Sequence, residues 1–94
     1  MIKTFRCRDT QRFWESHGRI KRPFASFAVV AMRKLRMLDA AIELNDLRQP
    51  PGNCLEALSR DRAGEHSVRI NDQYRICFVW TADGAAGVEI VDYH

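Results

Sequence analysis

The chain has 94 residues, 46% of them apolar and 29% charged, a size that holds one domain around one small core and a composition that excludes a disordered or fibrous protein. No apolar run approaches the roughly 20 residues of a membrane span, and Met1-Ile2-Lys3-Thr4-Phe5-Arg6 lacks the apolar centre of a secretion signal, so a cytoplasmic location is expected. The net charge of +3 hides a division: residues 1–36 hold ten Lys/Arg against Asp9 and Glu15, whereas residues 37–94 hold five Arg against ten Asp/Glu, which allows one face to meet a polyanion.

Ile2, Phe5 and Cys7 roughly alternate with Lys3, Thr4 and Arg6, predicting a first strand. Asp9 or Thr10 is placed to cap a short helix through Gln11, Phe13, Trp14 and Glu15 that Gly18 stops, with Phe13 and Trp14 expected in the core. Beyond the basic turn 18–23, apolar residues recur at Phe24, Phe27, Ala28, Ala31, Leu35 and Leu38. This spacing predicts a helix over residues 24–40, with Arg33, Lys34 and Arg36 on its outer face. Leu44, Leu47, Pro50, Pro51 and Gly52 mark a turn-rich connection that cannot continue the helix.

From there the pattern is that of strands. Residues 55–58 are a short one, 67–70 alternate, 74–80 are long and β-rich, and 88–93 close the chain. Asn71-Asp72-Gln73 and Ala82-Asp83-Gly84 supply the hairpin turns. The expectation is a single α/β (α+β) domain over residues 1–94, in the order β-α-α-β-β-β-β, with two N-terminal helices packed on a small twisted, mainly antiparallel sheet. Cys7, Cys54 and Cys77 are odd in number and widely spaced; they suit neither a disulfide framework nor a CxxC metal site and read as reduced packing residues.

Four stretches resemble the HigB-like toxins of the RelE/ParE superfamily: Lys34-Leu35 with Leu38-Asp39; Leu55-Glu56-Ala57-Leu58 with Arg62-Ala63-Gly64; the run from His66 to Phe78; and Glu89-Ile90-Val91-Asp92-Tyr93-His94. Ser67-x-Arg69-x-Asn71-x-Gln73-Tyr74-Arg75 combined with Asp92-Tyr93-His94 is specific, where either alone is weak. The resemblance implies the toxin of a type II toxin–antitoxin system, a ribosome-dependent endoribonuclease that cleaves messenger RNA in the ribosomal A site and stops translation and growth. It also implies a HigA-like helix-turn-helix antitoxin, operator DNA bound only through that antitoxin, and no metal or cofactor.

Side-chain-driven RNA cleavage needs a base for the 2′-OH proton, a cation for the charge on the phosphorane and an acid for the 5′-oxygen. Arg75 resembles the family's strand arginine and can hold two phosphate oxygens; structurally it could instead form a cross-strand ion pair with Glu89 or another carboxylate. His94 titrates where acid–base catalysis needs it, and Asp92 either orients it or is itself the base. Tyr93 should face away from Asp92 and His94 if the pleat persists, so the three converge only if the last residues leave strand geometry; it would then stack on a base or donate its hydroxyl, and otherwise pack in the core.

Well-known relatives carry a catalytic-site His and Lys in the 55–62 segment, where this chain has Glu56 and Ser59. Glu56 is then an alternative base and Arg60 or Arg62 an alternative cation, unless all three are loop residues facing solvent. The departure implies a slower enzyme, or a binding module that has lost the chemistry. Arg12, Arg19, Lys21, Arg22, Arg33, Lys34 and Arg36 are candidate contacts to ribosomal RNA phosphates, or simply solvated helix faces.

Overall fold

The computed structural model describes residues 1–92; the expectations for Tyr93 and His94 lie outside the described residues. Two helices, α1 (Arg8–Glu15) and α2 (Ala28–Ala40), precede four strands: β1 (Glu56–Ala57), β2 (His66–Arg69), β3 (Tyr74–Thr81) and β4 (Gly84–Asp92). The strands form an antiparallel meander in the order β1-β2-β3-β4. This is the expected α+β arrangement.

The N-terminal segment differs from the expected regular strand. It runs parallel to β4 but touches it at two separate bridges, Ile2 to Ala85 and Phe5 to Val88. The bridges are three residues apart on both segments, whereas a regular ladder repeats every two. Gly87, at φ +58°, donates its N–H to the Thr4 hydroxyl at 2.8 Å in place of a backbone carbonyl. The pleat therefore loses phase between the bridges.

Where the N-terminal segment leaves β4, α1 takes over. Thr10, expected as a helix cap, lies inside α1, is fully buried, and accepts a hydrogen bond from the Ile90 N–H at 3.1 Å. The capping position is Cys7, which makes no side-chain cap, and Asp9 sits in the first turn, where a carboxylate favours the helix dipole. Gly18, at φ +83°, closes the helix end by donating its N–H to the Phe13 carbonyl at 2.9 Å.

Residues Ala25–Phe27 form a 3-10 turn that leads into α2. Ala28, Ala31, Leu35 and Leu38 of α2 pack with Phe13 and Phe24 against Val68, Ile76, Phe78, Val88 and Ile90 of the sheet. Register explains which sheet face they meet: Val68, Ile76 and Ile90 are cross-strand partners and share one side of the pleat. Burying each such side chain contributes about 1.5–3 kcal/mol. Phe27 stacks on Tyr74 with ring centroids 4.4 Å apart, covering the end of this layer. Trp14, expected in the core, is partly buried against its edge.

Candidate functional site

The same register puts a polar row on the opposite face of the sheet. Glu56 pairs with Ser67, Ser67 with Cys77 and Cys77 with Glu89. Two residues along β3 from Cys77, Arg75 stands between Arg69 and Val91 on this face. Groups from the segment 54–65 and from Arg6 lie over it and leave Ser67 and Cys77 fully buried.

Arg75 is held at several points. Its Nε donates to the Ser67 hydroxyl at 2.7 Å, and one terminal nitrogen donates to the Cys54 carbonyl and, at 3.4 Å, to the Ser67 carbonyl. Glu56 places a carboxylate oxygen 4.0 Å from Nε. The Arg75 side chain is only 12% exposed, against 49% for Glu56. The Ser67 and Cys54 acceptors fix the Arg75 rotamer, so its positive charge is held in one place on the sheet. Cys54 offers its carbonyl from a left-handed conformation (φ 46°) just after the 3-10 turn Pro51–Asn53.

Beside this cradle lies a four-membered ion network. Arg62 donates to Glu89 at 2.9 Å and to Glu65 at 3.2 Å, while Arg6 reaches Glu65 at 3.3 Å and Glu89 at 3.5 Å. The hydrogen bond that Arg62 donates to the Glu89 carboxylate, as the largest cause, raises the Arg62 pKa above its ordinary value. Glu65 is buried, so its carboxylate needs these partners. The network joins the N-terminal segment and the Arg60–Arg62 turn to β4 and roofs Cys77. Burial pushes the Cys77 thiol up to about 11, which makes it a poor nucleophile.

The sequence-derived candidates are distributed unevenly. Arg75 and Glu56 are brought together; Arg62 joins the ion network and occupies the Glu89 partner considered for Arg75. Arg60 is exposed, at φ 57°, at the head of its turn, preceded by the exposed Ser59. Asp92 pairs with Tyr74 and therefore stands on the helix side of the pleat, its carboxylate accepting from the Gln73 amide at 3.0 Å. Cys54, expected as a packing residue, is exposed, whereas Cys77 is buried.

Arg12, Arg19, Lys21, Arg22, Arg33 and Arg36 are exposed as expected. Arg19, Lys21 and Arg36 line, with His17, a groove of about 350 Å³ floored by Ala28, Val29 and Met32. Lys34 is a correction. It lies on the flank of the α2 core stripe, three residues after Ala31 and four before Leu38, and is buried, with its ammonium donating to the Asn53 amide oxygen. Burial first, then Arg33 and Arg69, lower its pKa. Asn53, Arg6 and Glu65 were not singled out in the sequence; Ser67 was part of the motif that ends in Arg75 but carried no role there, although the 71–73 turn sets it opposite Cys77.

A two-helix layer on one face of an antiparallel meander, with a cradled arginine on the other, defines a small α+β domain of the RelE-like toxin class. A family model described as the RelE-like toxin of type II toxin–antitoxin system HigB matches residues 3–94, and the chain belongs to that HigB-like toxin family. It is 38% identical to Toxin HigB-1 of Vibrio cholerae serotype O1 over 94 residues, covering 100% of this chain and 98% of that one. It is also 39% identical over 67 residues to an uncharacterised protein of Haemophilus influenzae, covering 71% of this chain and 63% of that protein. Membership gives the chain a toxin role and implies a cognate antitoxin. Among the described residues, no helix is long and apolar enough to cross a membrane.

Proposed function

We propose that this toxin is a cytoplasmic, ribosome-dependent endoribonuclease that cuts messenger RNA by attack of a ribose 2′-OH on the adjacent phosphate. The observation that carries the reading is the Arg75 guanidinium, fixed on the sheet face away from the helices by Ser67 and the Cys54 carbonyl, with the partly exposed Glu56 carboxylate 4.0 Å away. A cation beside a carboxylate offers two of the three groups such cleavage requires. In this reading Arg75 binds the non-bridging phosphate oxygens as charge builds on them. Glu56 or His94 takes the 2′-OH proton and the other protonates the departing 5′-oxygen, Asp92 orients His94, and Tyr93 contacts a base or the phosphate. Arg60 and Arg62 add positive potential at the rim.

The exposed Arg12, Arg19, Lys21, Arg22, Arg33 and Arg36 grip ribosomal RNA phosphates without reading sequence. A HigA-like helix-turn-helix antitoxin neutralises the toxin and carries operator binding. Induced expression tests the site: growth arrest by the wild type, relieved by Arg75→Ala and by His94→Ala, is expected. Arrest that persists unchanged in both variants contradicts the assignment.

A further inference from the structure

Arg75 depends on an acceptor from outside its own hairpin, and the position of that acceptor traces back to α2. The Cys54 carbonyl that receives the Arg75 guanidinium belongs to the residue directly after Asn53. Asn53 is 1% exposed, and its carboxamide makes three hydrogen bonds. The amide nitrogen donates to the carbonyls of Leu47 at 3.1 Å and Gln49 at 3.0 Å, and the amide oxygen accepts from the Lys34 ammonium.

An ammonium can only donate. Opposite Lys34 the amide must present its oxygen, which turns its nitrogen toward the two loop carbonyls and forbids the flipped arrangement. The Pro51–Asn53 turn is thereby fastened both to α2 and to the preceding loop, and the Cys54 peptide is presented at a single angle.

Holding a charge in this position is costly, because burial penalises the ammonium and Arg33 and Arg69 repel it. An apolar side chain of the same length would fill the position without that penalty. What only a donor-bearing side chain supplies is the orientation of Asn53.

We propose that Lys34 and Asn53 are positioning residues for catalysis, fixing the Cys54 carbonyl so that it and Ser67 together orient the Arg75 guanidinium on the sheet face away from the helices. The inference rests on the proposed function for its purpose, while the relay itself is testable without it.

Two readouts separate the layers. In proton–nitrogen correlation spectra, the Arg75 Nε–H signal, assigned by its disappearance in Arg75→Lys, should shift and exchange faster with water in Lys34→Met and Asn53→Ala while the remaining spectrum stays folded. Lys34→Met guards against Asn53→Ala failing to fold. In cleavage assays on messenger RNA-programmed ribosomes, both variants should lose about tenfold to a hundredfold of the saturating rate, the scale expected when a catalytic group is misplaced by about 1 Å, with unchanged half-saturation. Introduced into Arg75→Lys, whose residual activity lacks the cradled guanidinium, they should cause little further loss.

An unmoved Arg75 Nε–H signal in both variants overturns the relay whatever the activity does. An equal fold-loss in the wild-type and Arg75→Lys backgrounds also overturns it, since that is the signature of a purely structural role. Wild-type cleavage by Arg75→Ala would overturn the proposed function, and with it the catalytic purpose of the relay, even with the spectral shift present.

Discussion

Replacing Thr10 by Val tests how α1 is joined to the sheet. Thr10 is fully buried, and its hydroxyl oxygen accepts the Ile90 N–H at 3.1 Å where β4 has run past its N-terminal neighbour. In Thr10→Val that N–H stays buried with no acceptor, a cost of about 1–3 kcal/mol. The added methyl returns about 0.8 kcal/mol of apolar burial, so the net loss is about 0.2–2 kcal/mol. For a domain of this size each kcal/mol lowers Tm by roughly 4–8 °C. Thr10→Ser is the control: it keeps the acceptor and loses one buried methyl, about 1 kcal/mol at most. Thermal and urea unfolding of the three proteins measure the difference. If Thr10→Val proves as stable as the wild type while Thr10→Ser is destabilised, the hydrogen bond contributes nothing and the methyl group alone accounts for the residue.

Gly84→Ala should lower the urea midpoint markedly, because a Cβ there would lie 2.1 Å from the Met1 carbonyl oxygen at φ +126°; strain of this backbone kind costs about 1–3 kcal/mol before the clash is counted, and an unchanged midpoint would contradict the N-terminal pairing. Because the folded Cys77 thiol keeps its proton up to about 11 while the unfolded thiol loses it near 9.0, stability should fall as pH rises from 9 toward 11. Cys77→Val should flatten that part of the pH dependence, and urea midpoints at both ends for the two proteins measure it. At pH 8 a thiol reagent should label Cys54 in the folded protein and reach Cys77 only on unfolding, as their exposures require. Arg19→Glu with Lys21→Glu should weaken ribosome association and reduce the steepness of its salt dependence by about one power of salt concentration per lost phosphate contact, with folding unaffected; salt titration of binding checks it.

The elements that were legible in the sequence are those fixed by local chemistry. The α2 stripe of Ala28, Ala31, Leu35 and Leu38 follows from helical period alone. The β2–β3 hairpin follows from Asn71, whose side chain accepts the N–H groups of Gln73 at 2.9 Å and Tyr74 at 2.7 Å. Once that turn is set, Ser67, Arg75 and Cys77 share a face without further information. The N-terminal segment misled because alternation says nothing about a partner strand, and its pleat is broken by Gly87 and Thr4, 83 residues apart. Lys34 misled because charge was weighed above its position between Ala31 and Leu38.

The Arg6, Arg62, Glu65 and Glu89 network joins residues up to 83 positions apart, and pairing among that many charged residues cannot be read from spacing. Of the candidate site, Arg75 was legible through its motif. Its cradle was not, since the Cys54 carbonyl is backbone and carries no residue-type signal.

The central claim, that the cradled Arg75 serves ribosome-dependent cleavage of messenger RNA, is tested most directly by primer extension on one messenger RNA incubated with the toxin in the presence and absence of ribosomes, for the wild type and Arg75→Ala. The account predicts new 3′ ends only with ribosomes present, largely lost in Arg75→Ala. Equally efficient cleavage of the naked RNA, or undiminished cleavage by Arg75→Ala, would contradict it.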